Sequence, residues 1–192
     1  MDAIKIIDHF YPAGDPAREI LLRHSTQVRD KALAILDASG LAGIDRTVVS
    51  NGAMLHDLGI RTCHAPDIGC SGTAHYLTHG IAGAEMLREY GKICGENLEV
   101  YARICERHTG TGLSAAEIIS RALPLPPRDL MPETMEEKLI CLADKFFSKS
   151  GNFSEKPLAK VRASIARFGA ENADRFETLL TLFKFNGGCL PQ

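Results

Sequence analysis

Apolar residues return along most of the chain at the three-and-four spacing of helices, and the alternation that marks strands is almost absent. A short helix is predicted over about 2–10. Asp15 before Pro16 reads as a helix start, a side-chain acceptor followed by a residue with no amide hydrogen to satisfy. From there Ile20, Leu21, Val28, Ala32, Ile35 and Leu36 form one apolar face, so a long helix runs to about 38, with Gly40 beyond it. Asp45 opens the next helix, which carries Val48, Val49, Ala53 and Met54 and closes at Gly59. Residues 60–77, rich in Gly, Thr, Ser and Pro, read as loop. Helices follow at about 78–90, stopping at Gly91, and at about 96–108. Ser114 with Glu117, and Thr134 with Glu137, form capping boxes that start helices near 115–122 and 135–149. The stretch Leu123-Pro124-Leu125-Pro126-Pro127 between them excludes helix. Two last helices fall near 155–168 and 171–185, separated by Gly169. No repeat and no linker splits the series, which predicts a single all-α domain over 1–192.

Composition narrows the function classes. The 192 residues are 45% hydrophobic and 24% charged, ordinary for one globular domain. Lys and Arg number 22 against 24 Asp and Glu, a net charge of −2 with no basic run, which argues against a dedicated binder of duplex nucleic acid. No apolar run approaches the roughly 18 residues of a membrane span, and Met1-Asp2-Ala3-Ile4-Lys5 lacks the layout of a signal peptide. A cytoplasmic protein away from the membrane is expected. The six cysteines, at 63, 70, 94, 105, 141 and 189, are then free thiols; Cys94, Cys105 and Cys141 fall in apolar helical patterns and count as small hydrophobes. Cys63, His64, Cys70 and His75 lack the paired spacing of a structural zinc site.

The chemistry lies in the histidines. Five of the seven (His24, His56, His75, His79 and His108) fall at helix ends or beside loops. His56 and Asp57 are adjacent just before Gly59. Neighbours on a helix point about 100° apart, so both cannot enter the core, but at a helix end both can lean toward one ion. Imidazole with carboxylate suits transition metals.

His24, His56-Asp57 within Ala53-Met54-Leu55-His56-Asp57-Leu58-Gly59, and Asp144 within Leu142-Ala143-Asp144-Lys145 match the H…HD…D signature, and the chain resembles the HD-domain superfamily over about 15–150. Within it the chain is most similar to the small HDIG-type phosphohydrolases, with Leu58 in place of the Ile; Pro132-Glu133-Thr134-Met135-Glu136-Glu137-Lys138 after the Leu-Pro stretch supports that subgroup. The resemblance implies an HD-domain helical bundle in which His24, His56, Asp57 and Asp144 hold one divalent metal (Mn, Fe, Ni, Co or Zn). In two-metal branches the positions of His79 and His108 add ligands for a second ion, with Asp57 bridging. One or two ions per chain remain open at this point. The HD-GYP branch differs, since it carries a second His where this chain has Thr109, and Gly-Tyr-Pro where it has Thr111-Gly112-Leu113.

The activity implied is hydrolysis of a phosphomonoester or phosphodiester, with a nucleotide or related metabolite as substrate. The alternatives are a mixed-valent di-iron oxygenase of the same fold or a non-catalytic signalling module. Asp57 and Lys145 are the expected catalytic residues. Lys145, Arg61 and Arg107 are candidate phosphate contacts, as is His75, one helical turn before His79 if that helix extends back. The terminal pair at 155–185 carries no motif residue and is assigned to packing or to a homodimer contact.

Overall fold

The computed structural model describes residues 1–187; Cys189 lies outside them. Asp2 accepts hydrogen bonds from the Ile4 and Lys5 N–H groups and caps α1 (Ala3–Phe10). Asp15 caps α2 (Pro16–Ser39), which Gly40 ends in the left-handed conformation. Asp45 caps α3 (Arg46–Leu55). Then come α4 (His79–Cys94), α5 (Glu99–Arg107) and α6 (Ala115–Ser120). The chain ends in α7 (Met135–Asp144), α8 (Leu158–Ala166) and α9 (Ala170–Leu182). Both capping boxes form as their sequences predict. Among the described residues the only sheet is a two-residue antiparallel pair, β1 (His64–Ala65) with β2 (Cys70–Ser71). No helix among them is long and apolar enough to cross a membrane.

The apolar face of α2 buries Leu21, Val28, Ala32 and Ile35 completely. At about 1.5–3 kcal/mol for each large side chain, this face outweighs any helix propensity in fixing where α2 lies. It packs against α3 and α7, and α3 packs in turn on α5 and α7. Helix α4 covers α5 and the short 3₁₀ turn Leu58–Thr62. Tyr11, fully buried, donates its hydroxyl to the Leu58 carbonyl (2.7 Å) and accepts from the Arg61 N–H (3.0 Å), so α1 pins that turn.

Several expected boundaries move. Helix α3 stops at Leu55, and Gly59 lies inside the 3₁₀ turn beyond it. Helix α4 runs through Gly91 to Cys94: a Cβ on Gly91 would sit 2.5 Å from the Glu96 carbonyl, so this glycine admits a passing chain, and Gly95, in the left-handed region, is the stop. Cys94 is exposed at the end of α4, whereas Cys105 and Cys141 are buried; all five described cysteines are free thiols. Helix α7 ends at Asp144, short of the expected 149, because the amides of Lys145, Phe146 and Phe147 bond three residues back and tighten the chain.

Helices α8 and α9 pack on each other, and α9 packs on α7. Thr111 Oγ1 donates to Asn172 Oδ1 (2.9 Å), and Arg175 Nη2 donates to Glu117 Oε1 (2.7 Å). Burial alone would raise the Glu117 carboxyl, but Arg175 and the Ser114 amide and hydroxyl outweigh it and hold its pKa at about 2. A depressed carboxyl stabilises the fold above its ordinary value of 4.5, and that contribution disappears as pH falls from there toward 2. Glu117→Gln is therefore expected to lower the urea midpoint at neutral pH and to flatten its dependence on pH below 4.5, measured by circular dichroism.

Candidate metal centre

Five elements aim side chains at one buried point. His24 projects from the inner face of α2, His56 ends α3 with Asp57 just beyond, His79 opens α4, His108 follows α5, and Asp144 ends α7. Asp57 has φ −103° and ψ 12°, the sparsely used bridge conformation, which turns its carboxylate out of the helical path. Gly59 lets this turn touch α4: a Cβ there would lie 2.1 Å from the His79 carbonyl and 2.4 Å from the Gly83 nitrogen. Gly80 does the same toward α5, where a Cβ would meet the Cys105 carbonyl at 2.5 Å.

The ligand atoms fall into two sets that share Asp57. Its Oδ2 lies 3.0 Å from both His24 Nε2 and His56 Nε2, while Asp144 Oδ1 lies 3.0 Å from His24 Nε2 and 3.5 Å from His56 Nε2. Its Oδ1 faces the other way, 3.3 Å from His79 Nε2 and 3.4 Å from His108 Nε2. Within each set the ligand atoms lie within 4.8 Å of one another. Asp57 and His56 are fully buried, and Asp144, whose side chain is 13% exposed, lies at the open edge.

The backbone decides what these nitrogens can do. Nδ1 of His56, His79 and His108 lies 2.7, 2.6 and 2.8 Å from the carbonyls of Ala53, Tyr76 and Cys105. A carbonyl only accepts, so each Nδ1 carries the proton and each Nε2 of the neutral ring is bare and points inward. His79 Nε2 and His108 Nε2 then face each other at 3.0 Å. His56 Nε2 and Asp57 Oδ1 are buried without a hydrogen-bond partner, while Asp57 Oδ2 meets the Lys149 ammonium at 2.6 Å. Bare nitrogens turned toward one another and toward carboxylate oxygens are what a cation would reconcile, so the residues fit a metal on both sides of Asp57.

Burial and neighbouring charge pull the pKa values of these groups in opposite directions. Burial would lower the His56 pKa, but Asp57 and Asp144 overcome it and raise it to about 9. His108, where burial wins, is held at about 4 and stays neutral. Burial would raise the Asp57 carboxyl, yet His56, Lys149 and the surrounding imidazoles keep it well below the usual carboxylate range.

Lys145, adjacent in sequence to Asp144, bonds its Oδ2 (2.7 Å) and the His108 carbonyl (3.0 Å). Lys149, which belongs to no motif in the sequence, also reaches the site. Its Nζ lies 2.6 Å from Asp57 Oδ2, and the early end of α7 is what carries it there. An unbroken helix to 149 would have set it one turn beyond Lys145. If the centre is catalytic, Lys149→Ala is expected to cut turnover by roughly 10²-fold without lowering the metal content, checked by metal analysis alongside activity.

The other expected contacts lie elsewhere. His75 is exposed and caps the 3₁₀ turn Tyr76–Thr78, its Nδ1 accepting from the Leu77 N–H (3.2 Å); α4 does not extend back to it. Arg107 is buried and turned away from the ligand cluster, held by the Met131 carbonyl and Glu133, both at 2.6 Å. Arg61 is exposed and lies over the Tyr11 ring, 5.2 Å from its centroid, beside Asp15 and Ser71. The structure therefore brings none of these three to the ligand cluster.

Comparison with known proteins places this arrangement. The tRNA (cytidine(56)-2'-O)-methyltransferase of Picrophilus torridus is 35% identical over 136 residues, 70% of this chain and 33% of that protein. The protein of the same name from Thermoplasma volcanium is 30% identical over 179 residues, 93% of this chain and 45% of that one. An uncharacterized protein of Methanocaldococcus jannaschii is 39% identical over 101 residues, 53% of this chain and 49% of that one. The chain thus spans about a third to a half of the length of these relatives. Among solved structures, the HD domain of the L. monocytogenes phosphodiesterase PgpH superposes with a TM-score of 0.51 at 18% identity, covering 95% of this chain and 97% of that one, a likeness of fold. The sequence model of the HD domain matches residues 21–148, which include all six clustered ligands, and the chain belongs to the HD domain family.

Proposed function

We propose that the protein is a metal-dependent phosphohydrolase that holds two divalent transition-metal ions and cleaves a phosphomonoester or phosphodiester of a nucleotide or related metabolite. The observation that carries this reading is the division of the ligands about Asp57. His24, His56, Asp57 and Asp144 would hold one ion, and His79, His108 and the other oxygen of Asp57 the second. Bound there, divalent metals polarise a phosphoryl oxygen and bring the pKa of water toward neutrality. Mn, Fe, Ni, Co and Zn all suit the donor set.

The chain's own groups supply the rest. The backbone carbonyls behind three imidazoles fix ring orientation before any substrate arrives. Lys145 and Lys149 set two ammonium groups beside the carboxylates at the open edge, where they can hold non-bridging phosphate oxygens. The net charge of −2 supports a small substrate over duplex nucleic acid.

The test is a screen of phosphorylated metabolites against protein loaded with Mn, Ni, Co or Fe, with oxygen uptake followed in parallel. Release of phosphate or of an alcohol, abolished by chelation, is the expected result. Oxygen consumption without ester cleavage overturns the reading in favour of an oxygenase.

A further inference from the structure

Beside the metal centre lies a cavity of about 460 Å³ between the loop that follows α7 and the outer face of α8. Its wall includes Ser148 and Ser150, the two neighbours of Lys149, together with Lys156, Lys160, Ser164 and Arg167. The loop is held in place from α2: Gln27 Nε2 donates to the Phe153 carbonyl (2.6 Å), and Arg23 lies over the Phe153 ring. One carboxylate, Glu155, also borders the cavity, but it is already bound to Lys31 at 2.6 Å. Lys156, Lys160 and Arg167 form no ion pair among the described residues.

Lys156, Lys160 and Arg167 thus share one cavity wall with Ser148, Ser150 and Ser164, with no carboxylate among the described residues paired to any of the three cations. Their position beside the centre is equally specific. Lys156 is half-buried and near enough to Asp144, Lys145 and Lys149 to feel all three charges. Asp144 and Lys149, with side chains 13% and 14% exposed, are where the ligand cluster reaches solvent. The wall includes Ser148 and Ser150, which flank Lys149, so the next anionic group of a substrate held at that edge would be on the side of these cations.

The geometry points to a second anion subsite at Lys156, Lys160 and Arg167, which selects substrates carrying a further phosphate beyond the one that reacts. This deepens the hydrolase reading and rests on it for the reaction, though not for binding. The second phosphate belongs either to a terminal polyphosphate or to the next phosphodiester of a short oligonucleotide, and the two share the chemistry recognised here.

The test uses the full chain and isothermal titration with three probes: orthophosphate, tripolyphosphate and a single-stranded trinucleotide lacking terminal phosphates. The variants are Lys160→Ala/Arg167→Ala and Lys160→Glu/Arg167→Glu; both side chains are exposed, so the fold is kept. Wild type should bind tripolyphosphate or the trinucleotide more tightly than orthophosphate, with or without metal. The alanine pair should lose roughly tenfold of that affinity and the glutamate pair more, while orthophosphate binding to the Mn-loaded protein is unchanged. The better of the two long probes identifies the source of the second phosphate. Equal affinities in wild type and variants, or an equal loss for all three probes, overturns the subsite. Failure of the hydrolase reading would appear separately, as metal-loaded protein that binds these probes and turns over no ester.

Discussion

Asp57→Asn is expected to lower turnover by roughly 10³-fold or more and to strip most of the bound metal. The substitution keeps the size of the side chain and removes the one charge both ligand sets share. Each Asp57 oxygen faces two imidazole nitrogens, Oδ2 toward His24 and His56 and Oδ1 toward His79 and His108. An amide can present only one oxygen, so one set loses its acceptor and the other loses charge. Stability should change less than activity. Breaking a buried ion pair typically costs about 3–5 kcal/mol because the partner charge is stranded. Here Lys149, with its side chain 14% exposed, can swing toward water, and the loss should stay below that range. Metal analysis and a urea titration of the same preparation check both halves.

Gly59→Ala should be strongly destabilising, although Gly59 supplies no metal-ligating atom. The added Cβ would meet backbone, not a side chain that can turn aside: the His79 carbonyl at 2.1 Å and the Gly83 nitrogen at 2.4 Å. The turn that carries Asp57 must then part from the start of α4 that carries His79. Overpacking of a core typically costs about 1–3 kcal/mol, and a clash between two backbones belongs at or above the top of that range. For a chain of this size that is a fall in Tm of about 6–12 °C. A thermal melt followed by circular dichroism decides it, and a fall of only a degree or two would show that the close approach is not needed.

The helices were legible because their starts are local. Asp15-Pro16, Asp45 and the two capping boxes each satisfy amides within a few residues, and each begins its helix where the sequence says. Their ends were less so, since stopping α7 at Asp144 depends on amides bonding three residues back with no Gly or Pro to announce it. That same tightening hid Lys149. The ligand set could be read because its pattern is one of residue identity and order. The basic contacts could not, because a guanidinium follows whatever carboxylate or ring the tertiary fold supplies: Glu133 for Arg107, and the Tyr11 ring for Arg61. His75 would face His79 only if α4 extended back to it, and it instead caps the turn Tyr76–Thr78.

The account turns on Asp57 facing two metal positions, and counting ions tests this most directly. Wild type and His108→Ala, purified side by side and equilibrated with excess Mn or Fe, should differ by one ion, about two equivalents against about one, because His24, His56, Asp57 and Asp144 remain to hold the first. Equal stoichiometry near one in both proteins would contradict the two-metal centre and leave His79 and His108 as lining of the pocket alone.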